Sequence, residues 1–222
     1  MAASEAQALP ETEGPPPRAL LPRIIAALLR RLERIGIVVR PFVVVREGLH
    51  QSASIAPHPQ FSGGFIDESD LPELVRDGST NAETCRDRLR RGQLCYAVKS
   101  GRRIVAKMWC DPTEVNFVPM RRPLAVNEAY LYAAFTDPDM RGQNLAPLMR
   151  ERCYVELRAR GRDVFWSYSD FYNAPARRFK EKLGATETGI GIYFSLFGRR
   201  GHTFMLRQRA AEAPARAAAD RS

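Results

Sequence analysis

The stretch TDPDMRGQNLAPLM, residues 136–149, decides the fold of this chain. It begins at the end of a run of strand-forming residues, EAYLYAAFT (128–136), and it leads into a predicted helix. The helix is indicated by one apolar stripe, formed by Leu145, Leu148, Met149, Cys153 and Leu157. Between strand and helix lies an Arg-Gly turn, which presents unpaired backbone N–H groups at a helix start. The sequence therefore predicts a phosphate-bearing ligand at this turn.

Other predicted elements surround this strand and helix in a regular order. Further strands are predicted at residues 64–66, 94–111 (a hairpin with Ser100-Gly101 at its turn), 163–169, 186–197 and 202–206. A helical region opens in an acidic, helix-capping sequence and reaches about Arg91. A last helix is capped by Asn173 and ends at Gly184. These elements predict one globular α/β domain over residues 65–207.

The first 64 residues are predicted to lie outside that domain. Residues 1–18, rich in proline and acidic residues, indicate a disordered leader and not a secretory signal. Residues 20–35 predict a basic amphipathic helix, which packs on the domain or, as the alternative, lies on an anionic membrane surface. Residues 37–45 predict one or two short strands broken at Pro41, which belongs at a sheet edge because it has no N–H. A Ser/Pro-rich linker follows.

Composition excludes several classes of protein. The formal net charge is +9, but aromatic residues do not alternate with the basic ones as a single-strand-binding surface requires, so nucleic acid is not an expected partner. The four cysteines and three histidines lack the spacing of a metal site, which favours a reduced, cytoplasmic chain without a metal. No apolar run is long enough for a transmembrane helix. Residues 208–222, rich in Ala and Arg, predict a disordered tail.

Two motifs in the main domain resemble those of the GCN5-related N-acetyltransferase (GNAT) superfamily. In that family a strand ending in V-x-P-x-x-R-G-x-G-x-G/A leads into a helix, and the matching residues here are Thr136, Pro138, Arg141, Gly142 and Ala146. A second family motif, N-x-x-A followed by an aromatic or apolar pair and E-K-L-G-F, is matched by Asn173, Ala176, Phe179, Glu181, Lys182, Leu183 and Gly184. Each motif is weak alone, but their order and separation make the pair specific.

The resemblance implies a mixed α/β fold, with a central mixed, mostly antiparallel twisted sheet flanked by helices. An N-terminal helix-strand extension, residues 19–64, would precede it. The implied function is an N-acyltransferase that moves an acyl group, acetyl above all, from CoA to an amine of a small molecule, sugar or peptide. The residues implied to hold acetyl-CoA or another acyl-CoA are Phe135, Thr136, Arg141, Gly142, Gln143, Asn144, Leu145, Ala146, Asn173, Phe179 and Lys180.

Three positions depart from the family's pattern, and one of them is Ala185, which replaces the usual aromatic residue after Gly184. Asn144 stands where the family usually has glycine, but asparagine tolerates positive φ and keeps its N–H, so the anion site survives. Lys180 stands where the family often has a tyrosine that protonates the CoA thiolate, and we interpret it as a surface helix residue or a phosphate contact. The candidates for the catalytic acid and base are therefore Tyr168, near a strand end, and Tyr130 and Glu128 on strand 128–136.

Two other functions remain open from the sequence. One is an acyltransferase that takes longer acyl groups from an acyl carrier protein, whose acidic surface would suit the +9 charge. The other is a non-catalytic acyl-CoA-binding protein with the same fold. A homodimer and peripheral membrane contact through residues 20–35 also remain open, and the acceptor amine is not identified.

Overall fold

The computed structural model describes residues 17–49 and 59–208, and in its first helix the side chains from Ile24 onward. The predicted leader and tail lie outside these ranges except at their inner ends, and so does most of the linker. Within the described ranges there are five α-helices and ten strands. In chain order they are α1 (Pro17–Arg34), β1 (Ile37–Glu47), β2 (Phe61–Ile66), α2 (Leu71–Leu74), α3 (Ala82–Arg90), β3 (Leu94–Ser100), β4 (Arg103–Asp111), β5 (Glu114–Val115), β6 (Arg122–Pro123), β7 (Glu128–Thr136), α4 (Leu145–Arg158), β8 (Val164–Asp170), α5 (Ala174–Lys182), β9 (Thr186–Leu196) and β10 (His202–Gln208).

Eight of the strands form one sheet in the order β10-β9-β1-β8-β7-β4-β3-β2, and β5 and β6 form a separate pair. All neighbours in the large sheet are antiparallel except β7 and β8, which are parallel and joined through α4. A helix is the usual crossover between parallel strands. The predicted mixed, mostly antiparallel sheet flanked by helices is therefore confirmed.

Strand β1 is a central strand of this sheet, which differs from the predicted extension. It pairs with β8 on one side and with β9 on the other, so the prediction that Pro41 lies at an edge is wrong and the sheet begins before residue 65. The Pro41 carbonyl accepts from the backbone N–H of Phe171, 3.0 Å away. In a hydrogen-bonded antiparallel pair, the backbone N and O of one residue point to the same neighbouring strand. The nitrogen of Pro41, which carries no hydrogen, therefore points toward Phe171, just beyond the end of β8 at Asp170. Pro41 therefore interrupts no ladder of the sheet.

Helices cover both faces of the sheet. Helix α4 buries its predicted apolar stripe against one face, where Leu131 and Phe165 belong to the same core cluster. Helices α2 and α3 cover the opposite face around Trp109. The predicted helical region before residue 91 is thus two helices, separated by a turn with Gly78 at φ 69°.

Helix α1 lies beside β1, and its described side chains, from Ile24 onward, bury little apolar surface. Ile25, Leu29 and Leu32 are half-buried, whereas Ile24 and Leu28 are 62% and 54% exposed. The predicted packing on the domain and the predicted membrane contact therefore both stay predictions. Within the described residues, no helix combines the length and the apolar character needed to cross a bilayer.

Candidate active site

The central strands β7 and β8 pair over three positions and then separate. Their last paired residues are Tyr130 and Trp166, although the strands continue to Thr136 and Asp170. The separation coincides with a bulge in β7, where the register against β4 shifts and Ala133 has a φ of 49°. The bulge bends β7 away from β8. We call the resulting gap between the two strands the opening.

Backbone polar groups of both strands face the opening. On β8, Tyr168 lies opposite Val44 of β1, three positions from the hydrogen-bonded pair of Pro41 and Phe171. Because bonded and non-bonded pairs alternate, Tyr168 turns its N–H and C=O away from β1. On β7, the N–H of Asp137 donates to Val105 of β4 at 2.9 Å, so the preceding Thr136 turns its own groups away from β4. The opening is thus lined by backbone N–H and C=O groups that make no ladder hydrogen bond to β1 or β4.

The turn before α4 forms what we call the anion nest, the backbone N–H groups of residues 142–146. Gly142 and Asn144 have φ of 84° and 56°, as the sequence predicted for a position that tolerates the left-handed region. In the described part of the chain, no protein oxygen accepts a hydrogen bond from these N–H groups. They lie at the N-terminus of a 14-residue helix, where the dipole also favours an anion. The residues at the turn therefore fit the pyrophosphate of a CoA.

A buried carboxylate fixes the turn that carries the anion nest. The Asp137 carboxylate pairs with Arg103 on β4 and lies 3.7 Å from Arg76. Its other oxygen accepts from the backbone N–H of Asp139, 3.3 Å away, and so caps the short helical turn Pro138–Met140. This arrangement holds the end of β7 and the start of α4 in a fixed relation.

Lys180 lies inside the protein, so its interpretation as a surface helix residue is wrong. It is 4% exposed, and its Nζ donates to the hydroxyls of Ser167 and Ser169 at 2.7 and 2.8 Å. The carbonyl oxygen of Tyr168, which faces the opening, is 3.4 Å from the same atom. Burial is the main cause that lowers the pKa of Lys180 to about 8, although the Glu47 carboxylate opposes it. Lys180 therefore faces β8 beside the opening.

Glu47, at the end of β1, is the carboxylate at the centre of this buried group. Its oxygens accept from the hydroxyls of Tyr154 and Ser167, and they lie 3.7 Å from Lys180 Nζ and 3.6 Å from Arg150 Nε. Burial works to raise the pKa of Glu47, but the charges of Arg150 and Lys180 and the two hydroxyl donors hold it below its usual value. We call Glu47, Arg150 and Lys180 the buried charge cluster.

The sequence predictions did not include Glu47 or Arg150. One signal was present, because Glu47 ends the apolar run FVVVRE, and a buried acid needs a partner. Arg150 carried no signal, since a single arginine in an amphipathic helix normally faces solvent.

Glu128 serves as an anchor on the opposite face of the sheet. Its carboxylate accepts from Arg122 at 2.9 Å, from the backbone N–H of Ala125 at 2.9 Å and from the Trp166 indole at 2.7 Å. Burial opposes the shift, but these hydrogen bonds hold the pKa of Glu128 below its usual value. Such a carboxylate is a weak base, and its oxygens are already occupied.

The two candidate tyrosines lie together in an aromatic group on that same face. The Tyr130 ring stacks on Tyr132 at 5.3 Å between centroids, and the half-buried Tyr168 ring stacks on Phe117 at 4.6 Å. The rings of Tyr130 and Tyr168 meet edge to face at 5.7 Å. Burial raises the pKa of both phenols, so each hydroxyl stays protonated at neutral pH. Either could donate a proton, whereas neither is suited to accept one.

The remaining predicted cofactor residues differ in what they present. Arg141, Gln143 and Asn144 are exposed at the turn, whereas Leu145 is 2% exposed and offers only its backbone N–H. Asn173 caps α5, as predicted, through a 3.2 Å bond from the Ala176 N–H. The half-buried side chains of Phe135 and Phe179 contact Lys107 and Arg150.

A pocket of about 450 Å³ lies next to the buried charge cluster, on the side of α5 that faces β9. Its lining includes Val45, Arg177, Lys180 and Glu187. It contains none of the anion-nest residues. Among the described residues, no group of three or more His, Cys, Asp or Glu side chains could hold a metal ion.

Comparison with known proteins identifies the class of fold. No family model and no curated protein sequence matches the chain. A GNAT-family acetyltransferase from Colwellia psychrerythraea matches with a TM-score of 0.53 at 11% identity, over 74% of this chain and 59% of its own. A Drosophila protein matches with a TM-score of 0.53 at 11% sequence identity, over 78% of this chain and 56% of its own. A GNAT-family protein from Novosphingobium aromaticivorans matches with a TM-score of 0.48 at 24% sequence identity, over 77% of this chain and 66% of its own.

The chain therefore has the fold of the GNAT acetyltransferases. It spans between 56% and 66% of the length of these three structures. At these identities the likeness concerns the fold, and the chemistry has to be argued from the residues of this chain.

Proposed function

We propose that this protein is an N-acyltransferase that takes its acyl group from an acyl-CoA and transfers it to an amine. The observation that supports this most directly is the anion nest, with its unbonded N–H groups, at the end of the same strand that borders the opening. A pyrophosphate on the nest would direct the rest of a CoA between β7 and β8. Acetyl is the leading choice of acyl group on grounds of fold alone.

The chain supplies three things that acyl transfer needs. The nest binds phosphate through backbone N–H groups, with Arg141 beside it as a further donor. The N–H of Thr136, which faces the opening, can hydrogen-bond a thioester carbonyl and stabilise the charge that develops on its oxygen. Tyr168, protonated and half-buried at the opening, can donate a proton to the leaving thiolate. Glu128 and Tyr130 hold their surroundings in place, so we assign proton removal from the amine to water.

Binding of CoA to the purified protein tests the proposal, with Gly142→Val as the probe variant. Gly142 and Gly161 both have positive φ, 84° and 76°, and a Cβ at either would meet no atom within 4 Å. Their valine variants should therefore lose similar stability, but only Gly142→Val should lose CoA affinity, by about tenfold or more, because its amides move. Calorimetric titration that detects no CoA binding to the unmodified protein would exclude the proposal.

A second candidate function is a non-catalytic acyl-CoA-binding protein. It is favoured by the occupied Glu128 carboxylate and by the buried, hydrogen-bonded Lys180, since neither is free to exchange protons with a substrate. CoA release measured across a broad panel of amines separates the two functions. Tight CoA binding without acyl transfer to any amine would favour the binding protein. Acyl carrier protein as the donor is tested in the same assay by replacing the acyl-CoA.

A further inference from the structure

Arg150 is a buried cation, and two of its three guanidinium nitrogens have no hydrogen-bond partner among the described residues. It is 2% exposed, and its Nε and Nη1 atoms are buried without a partner among the described residues. The nearest carboxylate oxygen, on Glu47, is 3.6 Å from Nε, and the Glu47 oxygens already accept from Tyr154 and Ser167. Buried polar groups in native proteins are nearly always paired, because an unpaired one is costly. Arg150 therefore has the properties of a binding group that awaits an oxygen from outside the chain.

Arg150 lies on α4 one turn after the anion nest. On α4 it is four residues after Ala146, so the two share one face of the helix. This face is directed at α5, because the Phe179 ring lies 5.9 Å from the Arg150 guanidinium carbon. The cluster also contacts Ser167, the residue of β8 directly after the last one paired with β7.

The buried charge cluster carries more positive than negative charge. Of the carboxylates in the described ranges, only Glu47 lies within 4 Å of the charged nitrogens of Arg150 or Lys180. Two cations therefore share one carboxylate, and each of its oxygens also accepts a hydrogen bond from a hydroxyl group. An anion brought into this place would restore neutrality, and a carboxylate matches the planar geometry of a guanidinium.

We propose that the acyl group of the donor ends in a carboxylate and that Arg150 binds this carboxylate, so the donor is the CoA thioester of a dicarboxylic acid. This inference rests on the proposed function, which directs the donor's acyl end into the opening. An acetyl group has no oxygen beyond its thioester carbonyl and would leave Nε and Nη1 of Arg150 without a hydrogen bond. A carboxylate at the far end of the acyl chain would supply acceptors for these atoms and a second negative charge beside Glu47.

Equilibrium binding of acyl-CoAs with matched chain lengths tests this inference. Succinyl-CoA and butyryl-CoA both carry four carbons and differ in the terminal carboxylate. We expect the protein to bind succinyl-CoA about 10- to 100-fold more tightly, the range of a hydrogen bond to a charged group. In Arg150→Gln the two affinities should agree within about threefold, because the fork and its charge are gone. Arg150→Lys, which keeps a charge without the planar fork, should retain part of the preference.

Arg152→Gln is the matched control, on the same helix two residues away. Its Nη1 donates to the Phe61 carbonyl of β2 at 3.3 Å, on the side of α4 away from α5, so the preference should remain unchanged. Circular dichroism and thermal unfolding verify that each variant is folded. If Arg150→Gln does not fold, Arg150→Lys takes its place: a smaller ratio of succinyl-CoA to butyryl-CoA affinity than in the unmodified protein supports the inference, and an unchanged ratio contradicts it.

Three results would overturn the inference, and they differ from a failure of the proposed function. Equal affinity of the unmodified protein for succinyl-CoA and butyryl-CoA is the first. The second is an Arg150→Gln variant that binds free CoA and both thioesters more weakly by one common factor, which would assign Arg150 to the pantetheine arm. The third is an undiminished preference in Arg150→Gln. Absence of binding by free CoA and all its thioesters would exclude the proposed function itself, and CoA binding without acyl transfer to any amine would favour the binding protein.

Discussion

Asn144 is the position at which the anion nest can be changed by one side chain. Its backbone has φ 56° and ψ 23°, and its exposed side chain makes no capping bond. The left-handed region costs an ordinary L-residue about 1–2 kcal/mol, and a β-branched residue tolerates it least. Asn144→Val should therefore lower the free energy of unfolding by about 1–2 kcal/mol. Asn144→Gly should change it by less than about 1 kcal/mol, because removed strain offsets added chain entropy.

The same two variants should separate in CoA affinity. If valine keeps the left-handed backbone conformation, the protein is strained. If valine leaves that conformation, the N–H groups of the anion nest no longer point to one place where an anion could bind. We expect Asn144→Val to bind CoA about tenfold more weakly and Asn144→Gly to bind it like the unmodified protein. Urea unfolding followed by circular dichroism gives the stability, and calorimetric titration gives the affinity. For a chain of this size 1 kcal/mol corresponds to about 2–4 °C in the melting temperature.

Unchanged CoA affinity in a destabilised Asn144→Val would refute the reasoning, since it would show that the left-handed backbone conformation at residue 144 does not contribute to anion binding. Gly161→Val serves as the control here too, because it introduces valine at a positive φ of 76° far from the turn.

Three further predictions concern the buried groups and the sheet. First, burial lowers the pKa of Lys180 from 10.5 to about 8 in the folded protein. Between these two pH values the unfolded chain therefore binds more protons than the folded one. The free energy of unfolding should therefore rise from pH 8 to 10.5, by up to about 3 kcal/mol more in the unmodified protein than in Lys180→Met. Urea unfolding at several pH values measures this, and the same pH dependence in both proteins would contradict it. Second, Glu128→Gln should lower stability by about 1–2 kcal/mol and leave the pH profile of kcat/KM unchanged, whereas loss of its acidic limb would make Glu128 the base. The exposed Glu156, paired with Arg160 at 3.2 Å, provides the control Glu156→Gln. Third, Gly191→Ala should cost about 1–3 kcal/mol, because its Cβ would lie 2.5 Å from the Phe42 ring and 2.9 Å from Met205 Sδ. Gly64→Ala, with no atom within 4 Å, should shift the melting temperature little, and equal shifts would argue against the contact between β1 and β9.

Local features of the fold could be predicted well from the sequence. The turn at Gly142 and Asn144, the cap at Asn173 and the stop at Gly184 depend on backbone conformations that few residue types adopt, so the residue types reveal them. The helical stripe of α4 was predictable for a similar reason, because its period alone shows which side is buried. The hairpin of β3 and β4 was predicted with its turn one residue early, since the register places Gly101 and Arg102 between the strands.

The place of β1 could not be predicted. A proline in a short apolar run is typical of an edge strand, and nothing in the run shows that β8 ends just where Pro41 lacks its N–H. That agreement depends on the relative ends of two strands more than a hundred residues apart. For the same reason the sequence does not show that the sheet includes a strand before residue 65.

The sequence by itself determined the anion nest, because a helix start with glycine and asparagine in the left-handed region is a local property of a few residues. Only the tertiary structure decided what lies at the other end of the opening. Glu47, Arg150 and Lys180 come from three separate elements, and nothing in the sequence indicates that they lie together. Their burial together follows from the insertion of β1 beside β8 and the packing of α4 and α5 on the same face. Charges become mutually dependent only at such distances and without water, and sequence spacing does not encode that condition.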